Sequence, residues 1–110
     1  VSATAGTPAV TVHDVIGAAA REYGVTRERL TGPQPARRIA GPRHVAMWVA
    51  YERFGHTKSH IARVLLRDHT TVMHGIREID AILGRRDAMA AAIRGHCERI
   101  EADIRGRDES

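Results

Sequence analysis

The stretch Arg67 to Ile79, RDHTTVMHGIREI, sets an acid, a histidine and two hydroxyls directly ahead of apolar residues at helical spacing. Asp68, His69, Thr70 and Thr71 are types that cap helices, ligate metals, work in catalysis, or touch a molecule outside the chain. Val72, Ile76, Ile79 and Leu83 follow Asp68 at steps of +4, +4, +3 and +4, which predicts a helix with one apolar face and a stop at Gly84. With that face on a core, His69, Thr70, Met73, His74 and Arg77 lie on or beside the opposite side, and the first turn is freest to reach outward. Threonine offers a hydroxyl and a methyl that packs on the thymine methyl, His69 donates or accepts, and Asp68 accepts from the amino group of a base. The unpaired N–H groups and positive dipole of the helix start suit a phosphate, to which Thr71 adds its hydroxyl and Arg67, His74 and Arg77 add positive or donor groups. The plainer reading keeps Asp68 as a cap and the rest as solvated surface.

A second constellation is Arg37, Arg38 and Arg43. The first two fall in TGPQPARRIAG, whose prolines and glycines predict a loop free to reach a groove or phosphates, while Arg43 falls in the first turn of a helix starting at Pro42 and suits one phosphate. An ordinary solvated basic loop is the competing reading. Metal binding competes for the histidines: His56 and His60 are i, i+4 and His69 and His74 are i, i+5, but no second cysteine and no HExxH accompanies them, so neither a metal site nor a cofactor is expected. No GK[ST] phosphate loop or GxSxG elbow occurs, and Cys97 lies on an apolar helix stripe, so the chain does not read as an enzyme.

The elements that must position these groups are helical. Thr11 with Asp14 forms a capping pair ahead of Val12, Val15, Ile16, Ala19, Ala20 and Tyr23, with Gly24 as the stop. Thr26 caps a short turn, Arg27 to Leu30. Pro42 opens a helix carrying Val45, Ala46, Trp48, Val49 and Phe54, ended by Gly55. Thr57 caps a short helix with Ile61, Ala62, Val64 and Leu65, and a break at Leu66–Arg67 joins it to the helix from Asp68 as a helix-turn-helix. A last helix from Asp87 to about Arg105 carries Met89, Ile93, Cys97, Ile100 and Ile104, a stripe suited to the chain's own core or to a dimer. The fold expected is all-α, five to six helices, with residues 1–10 as an arm or linker remnant, 11–106 as the domain and 107–110 as a tail.

A chain of 110 residues makes one core. Its net charge is +4, and sixteen of seventeen bases are arginine, whose rigid fork suits phosphate and base edges. One cysteine excludes an internal disulfide, and no apolar run is long enough for a membrane span, so a cytoplasmic, nucleoid-associated protein is expected.

RDHTTVMHGIREI, with IAGPRHVAMWVAYE upstream, resembles the C-terminal DNA-binding domain of the bacterial replication initiator DnaA, from about Thr11 to Leu83. The resemblance implies a six-helix domain whose extended helix-turn-helix binds double-stranded DNA at asymmetric boxes of the type TTATNCACA. By position it assigns Asp68, His69 and Thr70 to base reading in the major groove and Thr71, Arg43, Lys58 and Ser59 to phosphates. The loop with Arg37 and Arg38 falls where the family sends an arginine into the minor groove. Departures are Gly41 in place of a common arginine, Tyr51 at a commonly basic position, and Pro35 near the minor-groove arginine. The function expected is sequence-specific binding to such boxes in control of replication initiation or transcription, without ATPase activity. A helical protein-interaction or dimerising module that reads no bases is the alternative, and self-association or contact with other replication or transcription proteins fits either. The Val1 start fits an excised domain, whereas Gly41 and the reduced basic loop favour a stand-alone relative.

Overall fold

The computed structural model describes residues 10–33 and 37–109, with 37–40 and 108–109 as backbone only. Six helices follow in order: α1 Val12–Tyr23, α2 Arg27–Thr31, α3 Arg37–Glu52, α4 Lys58–Leu65, α5 His69–Leu83 and α6 Ala88–Glu109, with no strand among the described residues. The caps read from sequence form as expected at α1, where Thr11 Oγ1 accepts from Asp14 N (3.1 Å) while Thr11 N donates to Asp14 Oδ2 (2.9 Å). Gly24 closes α1 in the left-handed conformation (φ 66°) that costs glycine least. Thr26 and Thr57 cap α2 and α4 by the same hydroxyl-to-backbone bond, each at 3.1 Å.

The core forms around α3. Val45, Ala46, Met47, Trp48, Val49 and Ala50 are buried in succession, which a helix achieves only when neighbours cover it on every side. α1, α2, α4, α5 and α6 all pack against it. Two residues beyond the expected apolar face, Met47 and Ala50, are therefore core as well. Trp48 Nε1 donates to Asp80 Oδ1 (3.3 Å), which fixes the indole against α5.

Two boundaries and one inward stripe differ from the sequence expectation. α3 starts at Arg37, not Pro42, so Arg37 and Arg38 stand in a helical turn rather than a loop. A proline ring clashes with the Cβ of the preceding residue in the helical region, and Gly41 has no Cβ, so the helix runs back through Pro42 with one donor missing. α6 runs to Glu109, past Arg105 and through most of the segment expected as a tail. Its inward stripe begins at Ala90 and Ile93, and Met89 points out, 54% exposed. Cys97, Ile100 and Ile104 are buried in the chain's own core, and desolvation pushes the Cys97 thiol up to about 11. That stripe is therefore occupied within the chain.

α4 and α5 meet in a tight connection. Leu66 takes the left-handed conformation (φ 56°, ψ 46°), with Leu66 N donating to Arg63 O (3.3 Å) and Arg67 N to Ala62 O (2.9 Å). α5 then lies against α3 at Gly75, where an added Cβ would come within 2.8 Å of His44 Cδ2 and Met47 Sδ. The close approach sets how far the first turn of α5 stands out from the body.

Candidate nucleic-acid interface

Burial of Val72, Gly75, Ile76 and Ile79 fixes α5 by one face. Thr70, His74 and Arg77, at steps of +4 and +3, run along the other and are all exposed, as are Asp68, His69 and Thr71. Asp68 occupies the N-cap position (φ −66°, ψ 149°), but its carboxylate makes no capping hydrogen bond, which corrects the expectation that it caps the helix. Four other helix starts differ: Thr11, Thr26, Thr57 and Asp87 each accept from a backbone N–H of α1, α2, α4 and α6. At α5 an acceptor-only carboxylate and the adjacent amides are left facing solvent. His74 stands edge-on to His44 (6.2 Å), whose Nδ1 donates to Glu78 Oε1 at 2.7 Å, so the imidazole next to the helix start is braced from behind.

α4 adds a second exposed row. Ser59 and Arg63, i and i+4, are exposed on the side opposite Ile61, Ala62 and Leu65. Lys58 stands over the Tyr51 ring at 5.1 Å, so the tyrosine orients a neighbouring cation. Arg63 was not singled out from sequence; its i+4 spacing from Ser59 on the polar side of α4 was the available signal. Arg63 and Arg77 are exposed, and among the described residues they engage no carboxylate or hydrogen-bond partner.

Two residues read from sequence as phosphate ligands, Arg43 and Arg67, hydrogen-bond within the chain. Arg43 is 6% exposed; its Nε donates to Leu30 O (2.7 Å) and its Nη2 to Arg29 O and Gly32 O (2.9 Å each). Desolvation, and then the neighbouring positive charge of Arg67, lower its pKa. Arg67 is half-buried, and its Nη1 donates to Leu65 O (2.9 Å) and Leu66 O (3.3 Å) while its Nη2 bonds Gly32 O. The pair thus ties the end of α2 to α3 and to the α4–α5 connection, a structural use of both guanidiniums that their reading as phosphate ligands did not include. Arg37 and Arg38 start α3, and their side chains lie outside the described residues.

On the α1–α6 side several charges are paired. Arg21 and Arg107 flank Asp103, Arg53 and Arg105 flank Glu101, and Arg99 and His96 both donate to Glu22. Burial raises the Glu22 carboxyl, but hydrogen bonds from His96 and Arg99 outweigh it and hold it below its ordinary range. Tyr23 stacks on His96 at 4.4 Å, and burial drives its hydroxyl well above the usual tyrosine value. Among the described residues no three His, Cys, Asp or Glu side chains gather as a metal site, and His56 Nε2 is spent on Val10 O (3.0 Å).

The sequence pattern described as bacterial dnaA protein helix-turn-helix matches residues 12–79, which span α1 to most of α5 and include every residue of the exposed rows. The chain belongs to the bacterial DnaA helix-turn-helix family. Among relatives carrying the name chromosomal replication initiator protein DnaA, that of Cereibacter sphaeroides is 34% identical over 82 residues, covering 74% of this chain and 18% of that protein. The one from Caulobacter vibrioides is 34% identical over 86 residues (77% and 18%), and the one from Deinococcus radiodurans 33% over 92 residues (84% and 20%). The chain thus spans about a fifth of the length of these DnaA proteins. Among the described residues no helix is long and apolar enough to cross a membrane.

Proposed function

We propose that this DnaA-family helix-turn-helix reads double-stranded DNA at DnaA-box-like sites, with α5 in the major groove. The observation that carries the reading is the exposed first turn of α5, where Asp68, His69 and Thr70 keep their polar atoms free and the buried face holds them rigidly. His69 and Thr70 read base edges, and Asp68 accepts from an exocyclic amino group; an unpaired carboxylate among phosphates is unfavourable unless it finds such a donor. Thr71 and the free α5 amides hold a phosphate, with Ser59, Lys58, Arg63 and Arg77 holding others and His74 lying between. Arg37 and Arg38, at the start of α3, enter the adjacent minor groove. The chain serves replication initiation or transcription by occupying such sites, and the reading assigns these residues no ATPase step.

Fluorescence anisotropy against a TTATCCACA duplex and a scrambled duplex at two salt concentrations tests this. Tighter binding to the box, weakening with salt in proportion to the phosphates neutralised, is expected. No salt-dependent binding to either duplex sinks the DNA reading and leaves a protein-interaction module in its place.

A further inference from the structure

Leu66 is 78% exposed, the most exposed large apolar side chain among the described residues, and the one non-glycine residue there with positive φ. Neither fact serves the fold. The left-handed C-cap of α4 needs only a backbone, and glycine adopts it without the steric penalty that a Cβ brings. The isobutyl group buries almost nothing, so packing does not ask for leucine either. Its place does suggest a use: it stands in the connection between α4 and α5, two residues before Asp68, and the carbonyls of Leu65 and Leu66 are clamped by the Arg67 guanidinium. An apolar side chain on a rigid turn beside the reading helix is placed to meet the apolar feature that the major groove displays, the thymine 5-methyl group.

Resting on the DNA reading above, we infer that Leu66 is a specificity-determining residue of this chain, packing on a thymine methyl at the edge of the site read by Asp68, His69 and Thr70. The contact extends the readout past the α5 residues and favours thymine over cytosine or uracil at one position.

The test uses the box duplex and a set in which each thymine in turn is replaced by deoxyuridine, measured with the wild-type chain, Leu66→Ala, Leu66→Gly and His69→Ala. One thymine-to-uracil change should weaken wild-type binding about fivefold, Leu66→Ala should lose a similar factor on the parent duplex, and that variant should be indifferent to the same change. Leu66→Gly, which keeps the left-handed turn, should be at least as resistant to urea as wild type and equally indifferent to the methyl, which separates the contact from folding. If every thymine-to-uracil change affects wild type and Leu66→Ala alike, the inference is overturned, and a loss of preference in His69→Ala then shows the DNA reading standing without it. An equal loss by Leu66→Ala on box and scrambled duplexes also overturns it, assigning Leu66 to the sugar-phosphate backbone. Absence of DNA binding by every chain removes both the reading and the inference, and leaves Leu66 as a contact for another protein.

Discussion

The α1–α6 side and the α4–α5 side carry the same kinds of side chain and use them in opposite ways. On the first, arginines meet carboxylates: Arg21, Arg53, Arg99, Arg105 and Arg107 are each paired with Glu22, Glu101 or Asp103. On the second, Arg63 and Arg77 meet no partner among the described residues, and the Asp68 side chain makes no capping hydrogen bond to its own helix. Exposed ion pairs add little stability, so the paired side gains mainly a neutral surface, while the unpaired side keeps a positive field available to a polyanion. A modest net charge of +4 therefore understates the second region, because the acids that lower it sit mostly on the first.

Between the two regions lies the Arg43–Arg67 pair, and substituting it gives the largest expected effect. Arg43→Ala leaves the carbonyls of Arg29, Leu30 and Gly32 short of donors in a buried site, and should lower unfolding free energy by about 2–4 kcal/mol in urea titration. Unchanged stability with weakened DNA binding would return Arg43 to the phosphate face and blur the division between regions.

Gly75→Ala comes next. The added methyl must push α5 away from His44 and Met47 on α3, costing about 1–3 kcal/mol by overpacking. Because the shift moves the first turn of α5, preference for the box over the scrambled duplex should fall with it, and a stable variant with full preference would show that the placement of α5 is less critical than argued.

His69→Ala should leave the urea midpoint where it is and cost about 1–3 kcal/mol on the box but little on the scrambled duplex. Arg77→Ala should instead weaken both duplexes and lower the salt slope by about one. Swapped phenotypes would reverse the roles given to these two residues of α5.

The smallest effect belongs to the paired side. Glu22 and Asp103 titrate below their ordinary values of 4.5 and 3.8, so the unfolded chain binds protons more readily. Their contribution is complete above those values and is lost as pH falls through the lower folded ones. Glu22→Gln should cost at most about 1 kcal/mol at neutral pH, flatten the acid limb of a stability-against-pH curve, and leave DNA binding unchanged. A change in DNA affinity would mean the two regions are not separate.

Much of this was legible in the sequence because it depended on local pattern. The stripe from Val72 to Leu83 and the threonine caps are decided within a turn or two, and so is the register of the exposed first turn of α5. What escaped depended on partners that residue types do not show. Arg43 and Arg67 read as phosphate ligands because their acceptors are main-chain carbonyls supplied by the end of α2 and the α4–α5 turn. Asp68 fits a cap as well as a base contact, and only the position of its carboxylate distinguishes them. The early start of α3 was hidden by Pro42, an ordinary first-turn residue, whose cost is relieved here by the glycine before it.

The central claim is that DNA engages the α4–α5 side together with the start of α3, and leaves the α1–α6 side untouched. Backbone amide chemical shifts followed during titration with the box duplex test it most directly. The account predicts shifts concentrated at Arg37 and Arg38, from Thr57 to Thr71 and at His74 and Arg77, with α6 from Glu98 to Arg107 unmoved. Shifts gathered on α1 and α6, or spread evenly over both sides, would contradict it.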